Sequence, residues 1–333
     1  TPCRLHFGRL AFSRSAARQF GGVGVMIRRP DILIRVKSAS DFTARGYMAD
    51  RAVAFAQRFV ERSRARGWTL DFDAVDIDVA RMPRPHTGLG TGTQLGMAVA
   101  AALAAMAGRE NLTAFELAQL VGRGERSAIG AHGFHHGGLI VEGGKSNPNM
   151  LSPMLVRQPF PASWRSVLIR PMALVDRVEV SGEQERSAFE SMPDIPTELT
   201  AEMCRLVLLG LVPAAIEQDI RTFGACLYDL QQLVGSCFAR AQGGVYADPL
   251  LADIVAFCRA QDVPGVGQSS WGPTLYAVTD GDDAAERLAG AVQRRYDLGQ
   301  RQVLITEPDN VGASVRRVGA SGESRNPAPG RSV

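Results

Sequence analysis

Residues 88–106, GLGTGTQLGMAVAAALAAM, constrain the chain more than any other segment, because a glycine-rich turn runs directly into a helix that is apolar on nearly every side. A helix of that kind must be buried over most of its surface. Its apolar run, 95–107, is too short and too rich in alanine to cross a bilayer, so it belongs in a protein core. The turn carries a second meaning. Gly88, Gly90 and Gly92 let backbone N–H groups approach an anion around Leu89, the hydroxyls of Thr91 and Thr93 add donors, and the helix expected from Gln94 supplies a partial positive field. The pattern is neither G-x-x-x-x-G-K-[ST] nor a dinucleotide-binding G-x-G-x-x-G, because no lysine follows and the third glycine is misplaced. A tight strand-to-helix turn without a ligand satisfies the same residues.

Around this segment the pattern alternates. Leu5 and Phe7, then Ile32, Ile34 and Val36, then Val75, Ile77 and Val79 alternate with polar neighbours and read as half-buried strands. Residues 41–66 read as a helix capped by Ser40 or Asp41, with Tyr47, Ala54, Phe55 and Phe59 near helical spacing. Thr113-x-x-Glu116 is a capping box that opens a further helix. Residues 146–165 hold four prolines and no periodicity, which marks a crossing between a first domain, 1–150, and a second, 151–318. The second half reads as strands at 166–170, TLYAV and QVLIT, with helices near 197–218, 222–241, 248–260 and 283–296 on one side of a small sheet, an α+β layer. Residues 319–333 are too polar and too rich in Gly, Ser and Pro to order themselves. At 333 residues the chain suits two intimately packed domains.

Composition narrows the chemistry. The net charge of +3 arises from 35 arginines scattered among 34 acidic residues, which gives no basic stripe for nucleic acid. Only Lys37 and Lys145 offer an amine. Lys37 ends a polar strand edge, whereas Lys145 follows Gly143-Gly144 and has a route to a site. Five cysteines without a C-x-x-C read as reduced thiols in a soluble, cytoplasmic protein, with no membrane partner. Asp71, Asp73, Asp76 and Asp78 alternate as a solvated strand face or as metal ligands. His132, His135 and His136 suit a metal, packing beside glycines, or a place near substrate, so their role stays open.

The stretches TPCRLHFG, RQFGGVGVMI, GLGTGTQLGMAVAAAL, GRGERSAIGAHGFHHGGLIVEGG and GQSSWGPTLYAV, in this order, resemble the β-ribofuranosylaminobenzene 5′-phosphate synthase family from Thr1 to about Thr306. That family belongs to the fold superfamily of galactokinase, homoserine kinase, mevalonate kinase and phosphomevalonate kinase (GHMP kinases). The resemblance implies a GHMP-kinase-like two-domain α+β fold, with a ribosomal-protein-like N-terminal half and a ferredoxin-like α+β C-terminal half. It implies a pentosyltransferase that condenses 5-phosphoribosyl-1-pyrophosphate with 4-aminobenzoate and releases CO2 and pyrophosphate, the first step of methanopterin biosynthesis. It also implies a Mg²⁺ cofactor and a homodimer. The acceptor stays open between 4-aminobenzoate and 4-hydroxybenzoate. An ATP-dependent small-molecule kinase and a non-catalytic ligand-binding homologue remain the rivals.

Two departures weigh against the kinase. Arg4 stands where these kinases commonly carry a first-strand lysine, and Ser127-Ala128-Ile129-Gly130 matches their Ser-Gly-x-Asp segment without its carboxylate. The reaction so implied needs an anion cradle, a cationic clamp for the sugar phosphate and an apolar slot for the ring. Gly88 to Thr93 are the candidate cradle; Arg4, His6 and Arg18 are the candidate catalytic residues, with Arg4 and Arg18 as clamps. Gly21, Gly22, His86, Arg126, Ser127, Gln268, Ser269, Ser270 and Trp271 are the candidate substrate contacts, with Trp271 walling the slot. The same arginines in a last helical turn, or the same Trp in a buried turn, serve stability alone. Glu125 and Glu142 are candidate carboxylates for magnesium, and the metal ligands stay unassigned.

Overall fold

The computed structural model describes residues 1–11, 17–147, 149–175 and 194–318. The tail expected at 319–333 lies outside them. Strands β1 (Pro2–Ala11), β2 (Phe20–Asp31), β6 (Leu139–Glu142) and β7 (Met154–Gln158) form one antiparallel sheet in the order β1-β2-β6-β7. Helices α2 (Thr91–Met106), α3 (Ala114–Val121) and α4 (Ile129–His136) gather on one side of it, with α4 packed on β1, β2 and β6. A second sheet orders β3 (Leu33–Ala39), β5 (Ala74–Arg81) and β4 (Thr43–Gly46), with α1 (Ala49–Ala65) against it. The third, β11 (Val303–Thr306), β8 (Trp164–Ile169), β10 (Leu275–Asp280) and β9 (Gly265–Gln268), carries the second half.

One aromatic stack joins the halves. Phe7 of β1 lies 5.1 Å from Tyr276 and 6.3 Å from Phe223, which in turn touches Phe160 and Trp164. Cys3, Leu5 and Phe7 are fully buried in this core and β1 is covered on both faces, not one, because the helix Ile220–Gln242 of the second half packs on it. That is the position from which β1 can present arginines to a cleft between the halves.

Several expectations change. Helix α1 starts at Ala49 rather than near 41, because Thr43–Gly46 pairs in parallel with β5 and Thr43 Oγ1 donates to Asp76 at 2.8 Å. Gly46 makes that pairing possible: its φ is +99°, and a Cβ there would fall 2.4 Å from the Val79 carbonyl. Strand pairing overrides a helical pattern at such a place. The crossing expected at 146–165 contains β7, which extends the first sheet, and α4 and β9 were not expected at all because GAHGFHH and GVGQ carry too many glycines. The third sheet has helices on both faces, not one. Trp164, Leu168 and Val278 face the main core, while Val167, Ile169 and Ala277 face the helices Pro249–Ala260 and Asp282–Tyr296.

The helix over Thr197–Glu217 is long and apolar enough to cross a membrane by length and composition. Met203, Leu206, Val207 and Leu211 bury its inner face in the core. It widens to a π-turn at Val207–Leu211 just before Pro213, which has no N–H to donate and so favours a local change of hydrogen-bond register. Along β3 and β5 the acidic alternation is a solvated face: Asp76 pairs with Lys37 at 3.3 Å, and Asp78 with Arg35 and Arg45 at 3.1 and 3.2 Å.

Candidate functional site

A cleft of about 440 Å³ opens between the glycine turn, β1, α1 and the segments 122–127 and 270–272. Its floor is the turn. Gly88 (φ +83°) and Gly90 (φ +70°) adopt left-handed backbone, and neither position has room for a side chain. A Cβ on Gly88 would fall 2.2 Å from the Ser269 carbonyl; one on Gly90 would fall 2.7 Å from Arg4 Cγ. Helix α2 begins at Thr91, three residues before Gln94, so Thr91 to Thr93 form its first turn rather than the loop. Its apolar residues include the fully buried Leu95, Met97, Val99 and Leu103. Leu89 is fully buried and its carbonyl accepts from Arg4 N at 3.2 Å, so it anchors the turn instead of facing the cleft. Anion binding at this place falls to the backbone and hydroxyls of the helix start.

Arginines line the walls. Arg4 and Arg9 come from β1, Arg51 and Arg58 from α1, and Arg123 and Arg126 from the segment after α3, against Glu125 as the acidic lining residue. Arg4 donates to the Gly88 carbonyl at 3.3 Å, Arg123 to Thr93 Oγ1 at 3.0 Å and Arg58 to the Val121 carbonyl at 3.0 Å. Gly92 leaves space for the Arg51 guanidinium, which would stand 3.2 Å from a Cβ. Burial first, and the charge of Arg58 second, pull the Arg51 pKa below its usual value. Arg51 and Arg58 thus stand close enough to repel one another. Arg51 and Arg58 were missed from sequence. The signal was there: both fall on the Phe55 stripe of an amphipathic helix, where arginine is uncommon unless paired or liganded.

The segment opposite the turn is held from behind. Ser127 lines the cleft, donates to Glu142 Oε1 at 2.7 Å and lies 3.5 Å from His6 Nε2. The fully buried Glu142 also accepts from Ala128 N at 2.7 Å. His6 is buried, and that burial, reinforced by Arg4 and Arg9, drives its pKa well below the usual value, so it is neutral at pH 7. Its backbone N–H donates to Ser269 Oγ at 3.0 Å, and Ser269 Oγ donates to the Gly88 carbonyl at 2.8 Å. Ser269 is therefore a buried tie between β1 and the turn.

Other expected residues stand elsewhere. Arg18 is exposed and donates to the carbonyls of Gly143 and Gly144 at 3.0 and 3.3 Å, outside the cleft lining. Gly21 and Gly22 lie in β2 against Glu142 rather than in the cleft, and a Cβ on Gly22 would meet Glu142 Oε1 at 3.4 Å. His86, at φ +58°, Ser270 and Trp271 do line the cleft, while Gln268 belongs to a smaller neighbouring pocket. Lys145 does not reach the cleft. It is buried behind segment 122–127, and its Nζ donates to the Glu125 carbonyl at 2.7 Å. His132, on α4, contacts the Ser152 carbonyl through Nε2 at 2.8 Å. Among the described residues no group of three or more His, Cys, Asp or Glu could hold a metal ion.

Comparison with known proteins fits this geometry. The chain matches "GHMP kinases N terminal domain" over residues 51–139 and "GHMP kinases C terminal" over residues 211–298. It is 33% identical over 307 residues to a beta-ribofuranosylphenol 5′-phosphate synthase of Archaeoglobus fulgidus, spanning 88% of this chain and 89% of the relative. It is 31% identical over 332 residues to the protein of the same name from Methanothermobacter thermautotrophicus, spanning 94% and 96%. Among solved structures, Streptococcus pneumoniae phosphomevalonate kinase superposes with a TM-score of 0.67 at 12% identity, over 92% of this chain and 98% of that one. Homoserine kinase of Cytophaga hutchinsonii superposes with 0.61 at 16% identity, over 93% and 96%. Likeness at that identity shows the shared GHMP kinase fold.

Proposed function

The chain belongs to the beta-ribofuranosylphenol 5′-phosphate synthase family, and we propose that it transfers the phosphoribosyl group of 5-phosphoribosyl-1-pyrophosphate to a para-substituted benzoate with loss of CO2. The observation that carries this reading is a cleft in which six arginines face a glycine turn, with Gly130 where a kinase of this fold needs a carboxylate. Such a cleft suits a substrate with phosphates at both ends of a ribose. The helix start and Arg51, Arg58 and Arg123 surround the pyrophosphate, and Arg4, Arg9 and Arg126 hold the sugar phosphate and the acid.

The chemistry explains why no carboxylate base is needed. The C1–O bond to pyrophosphate breaks, and C1 becomes oxocarbenium-like. The ring carbon bearing the carboxylate attacks C1; the electron pair of its bond to CO2 then returns to the ring and restores aromaticity. No proton leaves that carbon, so Gly130 in place of aspartate does not impair the step. Ser127, its hydroxyl donated to Glu142, brings a dipole rather than a charge to the cleft, with the buried His6 behind it, outside the cleft lining. Magnesium, when bound, neutralises the departing pyrophosphate. Glu125 would hold it together with substrate oxygens, which suits an ion that commonly takes one or two protein carboxylates. The relatives' name contains a phenol, and a phenol product would follow from 4-hydroxybenzoate, whereas 4-aminobenzoate gives the aminobenzene.

Both acids, labelled in the carboxyl carbon, are to be incubated with the protein, Mg²⁺ and phosphoribosyl pyrophosphate while released CO2 is trapped. Label in the trap that depends on the pyrophosphate substrate supports the proposal. Its absence with both acids would refute it, and consumption of ATP with an alcohol would favour a kinase.

A further inference from the structure

A second pocket opens off the arginine cleft and shares Arg9, Ser270 and Trp271 with it. Phe7, Val234 and Phe238 give it an apolar wall beside His6 and Gln231, with the Phe238 and Trp271 rings 5.1 Å apart at 78°. Gln242 and Gln268 add side-chain amides to its lining, and Gln268 Nε2 donates to the carbonyl of the shared Ser270 at 3.2 Å. Its volume is about 40 Å³, well below the ~150 Å³ of a cavity that takes benzene, so only the para end of a ring enters it from the cleft.

On the reading proposed above, from which this inference proceeds, the geometry points to this pocket as the acceptor slot, with Gln242 selecting the para substituent. The carbon that attacks also bears the carboxylate, so that end of the ring must face the cleft where ribosyl C1 lies. There Arg9 meets the carboxylate. The para substituent then enters the pocket, whose lining includes Gln242. Gln242 Nε2 is committed to the carbonyls of Gly244 and Val245 at 3.0 and 2.8 Å. Its Oε1 accepts a long bond, 3.4 Å, from Gln268 Nε2. An amino or hydroxyl group in the slot can displace that long contact and donate to Oε1. An unsubstituted ring would leave the carbonyl with its poor partner. The other depression beside the cleft, lined by Phe115, Met150 and Leu151 as well as Arg62, Arg66 and Lys145, contains neither Ser270 nor Trp271.

The test is calorimetric titration of the full chain, with and without ribose 5-phosphate, using 4-aminobenzoate, 4-hydroxybenzoate and benzoate. The steady-state KM is measured for each substrate in parallel. Both para-substituted acids are expected to bind about ten-fold or more tightly than benzoate. Gln242→Leu should reduce that preference to about two-fold and leave the KM for phosphoribosyl pyrophosphate unchanged. Trp271→Ala should weaken all three acids alike; because Trp271 lies on a short loop, it also serves if the Gln242 variant fails to fold. Equal binding of all three acids by the unaltered chain, or a preference that survives Gln242→Leu, would overturn the assignment. CO2 release with an unchanged preference in Gln242→Leu would refute the slot alone. Selective binding without any CO2 release would refute the reaction alone.

Discussion

Arg51 offers the sharpest test because substrate binding and stability should respond to its loss in opposite ways. In the folded protein its cation is disfavoured by burial and by Arg58, and its guanidinium lies 5.7 Å from the Phe55 ring. Arg51→Met removes the charge and keeps a flexible chain against that ring. The stacking lost is worth about 0.5–1 kcal/mol, and a methionine sulfur restores ~0.3–1.5 kcal/mol of it. Relief of the like-charge repulsion acts in the same direction as that recovery. The melting temperature should therefore stay within about 3 °C of the parent, or rise, since 1 kcal/mol moves a chain of this size by roughly 2–4 °C. Substrate binding should suffer. A charge-assisted hydrogen bond to phosphate is worth about 1.5–3 kcal/mol, so kcat/KM for phosphoribosyl pyrophosphate should fall by roughly 10- to 150-fold. The assay is steady-state kinetics alongside thermal melting. A large loss of stability, or a change in kcat/KM below about three-fold, would refute the view that Arg51 waits for an anion.

Other positions give independent outcomes. Gly88→Ala must place a Cβ 2.2 Å from the Ser269 carbonyl at a φ of +83°; strain of about 1–3 kcal/mol plus displacement of the turn should lower both the melting temperature and the affinity for pyrophosphate, read by melting and calorimetry. Ser127→Asp puts a second carboxylate beside the buried Glu142, and a loss of roughly 3–5 kcal/mol is expected in denaturant unfolding. Because burial lowers the His6 pKa in the folded chain, the unfolded chain binds the extra proton first. His6 thus stabilises fully above its unfolded pKa of about 6.5, and stability declines as pH falls below it by up to ~1.4 kcal/mol per unit until the folded pKa is reached. Melting curves from pH 7.5 to 5 should be flatter for His6→Gln than for the parent, and parallel curves would contradict this.

Most of the fold was legible because it is written in periodicity. The apolar run after Gly92 could only be a buried helix, and Thr113 with Glu116 forms the capping box that its spacing announced. What failed was decided by partners distant in sequence. Thr43–Gly46 is a strand because β5 lies beside it, and β1 is buried on both faces because a helix more than 200 residues later covers it. In the cleft, the turn, Arg4, Arg126, Ser127 and Trp271 were expected from their motifs, and they converge. Arg51 and Arg58 carry no motif, only an arginine on a buried stripe. Arg18 looked like a clamp beside Gly21-Gly22, yet the β2–β6 pairing directs it to the carbonyls of Gly143 and Gly144. Ser269 looked like a ligand contact and serves as a tie within the turn.

The central claim is that an arginine cleft on a kinase fold performs decarboxylating ribosyl transfer. The most direct measurement follows pyrophosphate, CO2 and the ribosylated ring in one reaction mixture, with ATP absent. The account predicts equimolar formation of all three, and their joint disappearance when phosphoribosyl pyrophosphate is omitted. Pyrophosphate released without CO2, or turnover that requires ATP, would contradict it.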